Sequence, residues 1–230
     1  MRDILRLVKR LFKIFIGRDK IFPIQTRIAT EKHGQKNACW IIAADKINAQ
    51  SIIYSFGIGT DISFDLSLIE KYGVQVHAFD PTPRSLAWLE KQTLPANFNY
   101  YSYGLADIDG TVDFFPPAQE NHISHSIIPV TSTETRSLKV PVCRLETIMK
   151  QLKHTKIDLI KMDIEGAEYA ALEDIIKSEI PLEQILIEFH HRFPAIGLAR
   201  TQYIIDLLNR HHYKIFYASP FGEDYCFIRT

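Results

Sequence analysis

Between residues 52 and 189, short apolar runs alternate with longer amphipathic segments, and no other feature of the sequence restricts the fold so strongly. Apolar runs of this length bounded by turn residues read as buried strands, and a sheet of such strands needs cover on both faces. Strands are expected at residues 39–43, 52–56, 74–79, 98–104, 138–143, 157–162 and 185–189, with another across "GTVDFFP" after the Asp109-Gly110 turn signal. Helices are expected at 60–71, at 83–92 with Pro83 in the favoured first position, at 145–152, and after Gly166 and Gly197. Repeated strand–helix–strand units imply a mostly parallel sheet with helices on both faces, an α/β architecture. The last two strands, 213–218 and 225–229, are separated only by "SPFGED". A connection that short makes them an antiparallel hairpin. With 230 residues and no internal repeat, residues 21–230 are expected to form one domain.

Residues 1–20 stand apart. The whole chain balances 27 Lys and Arg against 27 Asp and Glu, so no overall field draws it to nucleic acid. In "MRDILRLVKRLFKIFIGRDK", however, seven basic residues face two acidic ones. Ile4, Leu5, Val8, Leu11, Phe12, Phe15 and Ile16 recur there at helical spacing, with Arg2, Arg6, Lys9, Arg10 and Lys13 between them. The stretch is too short and too charged to span a bilayer. Two uses stay open for such a helix: lying on an anionic membrane surface, or docking on its own domain or on a second subunit of a homodimer. Cys39, Cys143 and Cys226 form neither a zinc pattern nor a disulfide framework. Free thiols of this kind suit a reducing, cytoplasmic setting, with the helix placing the protein at the inner face of the membrane.

In "IIYSFGIGTD" a buried strand runs directly into Gly57 and Gly59, a turn that lets a ligand approach the backbone at the start of a helix. Asp80 ends the next strand, where a carboxylate accepts the hydroxyl protons of a nucleoside ribose. Together these features point to a nucleoside-type cofactor. A dinucleotide fingerprint needs a further glycine where Ile62 stands, which weakens the pyrophosphate reading and an oxidoreductase with it.

The glycine turn, "HAFDPTPRS", "YYSYGLADIDGTVDFF", "VPVCRLETIM" and above all "IDLIKMDIEGAEYAAL" together resemble the FkbM family of S-adenosylmethionine-dependent methyltransferases. That resemblance implies a Rossmann-like class I methyltransferase fold with a seven-stranded sheet and S-adenosylmethionine as donor. It also implies O-methylation of a sugar, glycan or other small-molecule hydroxyl. By position, Gly57 and Gly59 would line the methionine part of the donor, Asp80 would hold the ribose, and residues 104–107, with Gly104 and Asp107 at their ends, would lie beside the adenine. Many methyltransferases carry an acid where Ser55 stands, and Asp61 is the expected substitute.

Ligands of such sheets lie beyond the carboxyl ends of the strands, which is where Asp163 is delivered. Lys161 shares its side-chain parity and is expected to pair with Glu188 on the neighbouring strand. A hydroxyl acceptor must lose a proton, and Asp163 and His190 are the candidate catalytic groups, with His191 third. Asp163, Glu188 and His190 could also ligate a divalent ion, although no metal is predicted. The polar stretch 116–137 is expected to be a long loop, with His122, Ser124, His125 and Ser126 as lid residues. Tyr100, Tyr101 and Tyr103 are expected in the core, and His211 and His212 at a helix end. The alternative function is a non-catalytic, methyltransferase-like module acting as a membrane-associated partner in an assembly pathway.

Overall fold

The computed structural model describes residues 2–36, 38–115 and 137–230. The lid residues named above fall outside them. Helix α1 spans Arg2–Phe15, and strands β1 (Thr30–His33) and β2 (Trp40–Ala43) form a small antiparallel pair. There follow β3 (Ile52–Phe56), α2 (Ser63–Tyr72), β4 (Gln75–Phe79), α3 (Pro83–Leu89), β5 (Phe98–Tyr101), β6 (Gly104–Leu105) and β7 (Gly110–Phe114). The second half contributes β8 (Leu138–Cys143), α4 (Leu145–Leu152), β9 (Ile157–Met162), α5 (Glu168–Lys177), β10 (Leu182–Glu188), α6 (Gly197–Arg210), β11 (Tyr213–Ala218) and β12 (Asp224–Arg229).

Seven strands form the main sheet in the order β11-β12-β10-β9-β3-β4-β5. The pairs from β10 to β5 are parallel, whereas β12 runs antiparallel to both β10 and β11. This is the sheet of a class I methyltransferase, with the expected terminal hairpin. Alternate residues feed opposite cores. Tyr54 and Phe56 of β3 pack with Ile160 and Met162 of β9 on one face, and Ile53 packs with Leu159 on the other. The chain leaves β3 toward β4 and β5, then crosses back to β9, so the sheet direction reverses between β3 and β9. A crevice opens at such a switch point.

Two departures from the sequence reading have physical causes. The run 98–104 breaks at Ser102, and β6, β8 and β7 form a separate three-stranded sheet. Gly104 is packed so closely at this break that a Cβ would meet Pro81 at 3.3 Å and Val142 at 3.4 Å. Strand β1, "TEKH", carries no apolar pattern, and pairing with β2 defines it instead.

Helix α1 is held to the domain by its basic side. Arg10 Nη1 donates to the carbonyls of Ser219 (3.3 Å) and Pro220 (2.9 Å), and its Nη2 donates to Lys20 O (3.1 Å). The Arg6 guanidinium lies 3.8 Å over the Phe221 ring. Behind this contact Asp19 accepts from Arg192 at 2.6 Å, with His191 at 3.7 Å. Burial works against the Asp19 charge, yet His191 and Arg192 hold its carboxyl down at about 2. Among the described residues no helix is long and apolar enough to cross a membrane.

Candidate active site

The carboxyl ends of β3, β4 and β9 open into a cavity of about 720 Å³. Residues 56–61 and 80–82 line one side of it, and Asp163, Glu165, Glu188 and Asp224 the other.

The glycine turn sits between them. Gly57 has φ +73°, its N–H donates to Phe79 O at 3.0 Å, and a Cβ there would lie 1.7 Å from the Asp163 carbonyl oxygen. No side chain fits at 57, because the backbone after β9 occupies the space. Gly59 (φ +54°) differs: a Cβ would meet nothing within 4 Å, so this backbone faces open cavity. Its N–H donates to Asp80 Oδ2 at 2.9 Å, while Asp80 Oδ1 accepts from the Thr82 N–H (2.9 Å) and the Thr82 hydroxyl (2.6 Å). A carboxylate has roughly four acceptor sites, so about one is left for a ligand hydroxyl.

Asp61, the expected substitute for the missing acid at Ser55, lines the cavity but uses Oδ1 to accept the Ser63 N–H at 2.9 Å, at the start of α2. One turn further, Asp65 is buried and lines the cavity; the Ser55 hydroxyl faces its carboxyl, and among the described residues neither Asp65 Oδ1 nor Ser55 Oγ makes a hydrogen bond of good geometry. Burial pushes the Asp65 carboxyl up to about 6, against the pull of the Lys161 charge. This acid was missed in the sequence reading.

Lys161 corrects another expectation. Its Nζ does not pair with Glu188; it donates to Gly57 O (2.6 Å) and Phe56 O (3.2 Å) and lies 5.7 Å over the Trp40 ring. Register explains this, because Lys161 stands beside Leu186 on β10, while Glu188 lies two residues on, beside Asp224 of β12. The turn's carbonyls are the nearer partners.

On the acceptor side the structure brings Asp163 and His190 together, with His190 Nε2 at 3.8 Å from Asp163 Oδ1 and 3.3 Å from Glu165 Oε2. Its Nδ1 meets Glu168 Oε1 at 3.0 Å, an oxygen that also accepts the His190 backbone N–H at 3.1 Å. The second Glu168 oxygen accepts the Gly166 N–H at 2.9 Å, so this fully buried acid ties the loop after β9 to His190. Burial opposes a charged imidazole here, but Glu168, Glu165 and Asp163 prevail and raise His190 to about 10. The three carboxylates thus favour the imidazolium form. Burial, followed by the charges of Asp163 and Asp224, holds the Glu188 carboxyl well above the usual range. Burial likewise pushes Asp224 up to about 6. Asp163, Glu165 and His190 offer ligand atoms within 4.8 Å of one another, which a divalent ion could bridge if the imidazole gave up its proton.

The remaining candidates divide. Gly104 and Leu105 line the cavity, whereas Asp107, expected beside the adenine, is exposed and is not among the lining residues. Strand β6 ends before it, and residues 107–109 form a bend. His191 is turned to Asp19, away from the carboxylate cluster. Phe79, Tyr101 and Tyr103 form an aromatic ladder in and against the core, with Phe79 and Tyr101 stacked at 4.9 Å.

Comparison with known sequences gives a match to the family described as Methyltransferase FkbM domain over residues 44–215. The curated relatives include human and rat proteins, each described as probable methyltransferase-like protein 24. The human one is 29% identical over 155 residues, and the rat one 27% identical over 156. Each match covers 66% of this chain but only 36% of the relative, so the chain spans about a third of their length. Among solved structures, the Methanococcus jannaschii fibrillarin pre-rRNA processing protein aligns over 79% of this chain and 67% of its own. The identity is 14% and the TM-score 0.46. Aeropyrum pernix fibrillarin, solved with natively bound S-adenosyl-L-methionine, covers 80% of this chain and 66% of its own at 12% identity and a TM-score of 0.43.

Proposed function

The chain belongs to the FkbM family of methyltransferases, and from that premise we propose that it moves the methyl group of S-adenosylmethionine to a hydroxyl of a sugar, glycan or other small-molecule acceptor. The observation that carries the reading is Asp163, set at the cavity floor between the His190 imidazolium and the Glu188 carboxyl, directly behind the glycine turn.

The residues present fit the donor. Gly59 leaves open space at the turn among the described residues, Asp80 keeps about one acceptor site for a ribose hydroxyl, and the buried Asp65 carboxyl, with Ser55 beside it, presents an Oδ1 without a well-formed hydrogen bond among the described residues. Asp65 is the group suited to the donor's ammonium, the part that Ser55 cannot hold. When bound, the donor supplies an electrophilic methyl on a sulfonium sulfur that leaves as a neutral thioether.

The protein's own task is at the acceptor oxygen. Asp163 takes the hydroxyl proton as that oxygen attacks, a contribution typically of about 10²–10⁴-fold. His190 is fixed through Nδ1 by Glu168, and its Nε2 faces Glu165 at 3.3 Å and lies 3.8 Å from Asp163, a charge contact beside the base rather than a hydrogen bond to it. Glu188, whose carboxyl burial and the charges of Asp163 and Asp224 hold well above the usual range, lines the same cavity. No water-derived nucleophile is needed, and in-line proximity supplies much of the rest.

Incubating the full chain with methyl-labelled donor and a panel of sugar and polyol acceptors tests the reading. Base-stable methyl ethers are expected. Donor binding with no turnover on any acceptor would favour the non-catalytic module, and labelled methylamines or methyl esters alone, with amines and carboxylates added to the panel, would overturn transfer to a hydroxyl.

A further inference from the structure

Helix α1 is amphipathic in the inverted sense. Its basic side faces the domain through Arg6 and Arg10, and the guanidinium of Arg10 lies so flat on the loop that a Cβ at Gly222 would sit 2.5 Å from it. Its apolar side therefore points outward: Ile4, Leu5, Val8, Leu11, Phe12 and Phe15 are each more than half exposed, and Phe15 reaches 87%. A contiguous apolar face of this kind on a domain surface marks an interaction site rather than scatter.

We propose that this face docks into an anionic lipid bilayer, with the helix lying in the plane of the surface. Charge favours that occupant. With Arg6 and Arg10 engaged by the domain, Lys9 and Arg18 remain exposed, Lys9 along the flank of the apolar face and Arg18 just past the helix end. Such cations attract a negative headgroup layer and repel the same residues of a second copy. A bilayer needs no matching partner surface. Asp3 and Arg6 also line the mouth of the active-site cavity, so docking would bring that mouth to the headgroup layer.

The test is sedimentation of the full chain with phosphatidylcholine vesicles, with and without phosphatidylserine at about a third of the lipid, over a salt series. Binding to the anionic vesicles is expected, weakening as salt rises because screening acts over about 10 Å at 0.1 M. The triple variant Leu11→Glu, Phe12→Glu, Phe15→Glu should lose binding by at least about tenfold. Lys9→Glu should weaken it by more than the roughly fivefold expected for neutralising one basic residue near the surface. Neither set touches the domain, so melting temperature and donor affinity should stay as in the parent. Equal binding to neutral vesicles would overturn the anionic assignment. A concentration-dependent dimer in light scattering that the triple variant abolishes, with no vesicle binding, would give the face to a second copy instead.

Discussion

The two sides of the cavity are built in opposite ways. On the donor side the glycine turn is held by backbone: Gly57 N–H on Phe79 O, Asp163 N–H on Phe56 O, and Lys161 on the two carbonyls of the turn. On the acceptor side almost every contact is between ionisable side chains, with His190 set among Asp163, Glu165 and Glu168. A backbone turn is tolerant of chemistry but not of volume, as the 1.7 Å contact at a Gly57 Cβ shows. A charge cluster tolerates changes of shape but not of charge count. Substitutions on the two sides should therefore fail differently, one set through donor affinity and the other through turnover and stability.

The largest effect is expected at Asp163. Asp163→Asn keeps the shape and removes the base, so the rate constant for turnover should fall about 10²–10⁴-fold. Donor affinity by calorimetry should hold within about twofold, because the donor side is braced by backbone. A variant that loses donor binding to the same extent as turnover would erase the distinction between the two sides. Next comes Glu168→Ala, which strands the His190 imidazolium and the Gly166 N–H. Breaking a buried pair of this kind costs about 3–5 kcal/mol, measured as a lower urea midpoint, with Glu168→Gln recovering part of it through the remaining hydrogen bonds. Chelator sharpens the picture: activity lost in chelator and restored by Mg²⁺ or Mn²⁺ would make Asp163, Glu165 and His190 ligands.

A smaller effect is expected on the donor side. Asp65→Asn should weaken donor binding by the equivalent of one charge-assisted hydrogen bond, about 1.5–3 kcal/mol or about ten- to 150-fold. Its fold should not suffer, since the carboxyl is already pushed up to about 6 by burial. Asp61→Ala should leave donor affinity alone and cost stability by about 1 kcal/mol, the worth of a lost helix-start contact. The reverse pattern in calorimetry would return the ammonium to Asp61.

How far the sequence carried these assignments differs along the same line. Apolar runs and their spacing were enough for the main sheet, because a run buried along its whole length, as in β9, suits a strand covered on both faces. The glycine turn and Asp80 were legible as motifs, since their geometry is local. Side-chain partners were not. Lys161 and Glu188 share a face, but their pairing depends on a register offset of two residues between β9 and β10. Asp65 and Glu168 did leave a signal. Asp65 stands with Phe64 and Leu68 on the buried side of α2, and Glu168 with Ala171, Leu172 and Ile175 on that of α5. An acid inside an apolar stripe has to be paid for by a partner or a ligand. Asp107 was placed from a motif, and a motif position says nothing about where the chain bends; here it is exposed, after β6.

The finest test of the comparison is the pH dependence of stability, which near neutral pH belongs mainly to the acceptor side. His190 is raised to about 10 in the folded protein from an ordinary value of 6.5, so its favourable contribution is complete below pH 6.5 and is lost as pH rises through the folded value. The Glu188 carboxyl is also raised, through burial and its acidic neighbours, and a folded state that keeps a proton longer than the unfolded chain again loses stability as pH rises. Asp65 and Asp224, both near 6, act in the same direction but have finished titrating by neutral pH. Buried Cys226 acts in the same direction as the unfolded thiol ionises around pH 8.5, and Tyr54 only above that, while His77 and His154, lowered by burial, act in the opposite direction and fade above pH 7. Between about pH 7 and 8, then, the slope should come mainly from His190 and Glu188, each contributing at most about 1.4 kcal/mol per pH unit. Urea midpoints of the parent protein should fall across this window, and the fall should be shallower in His190→Gln. Equal slopes in the two proteins would mean that His190 carries no extra proton in the folded state. The imidazolium would then give way to a neutral ring, and His190 would return as a candidate base beside Asp163.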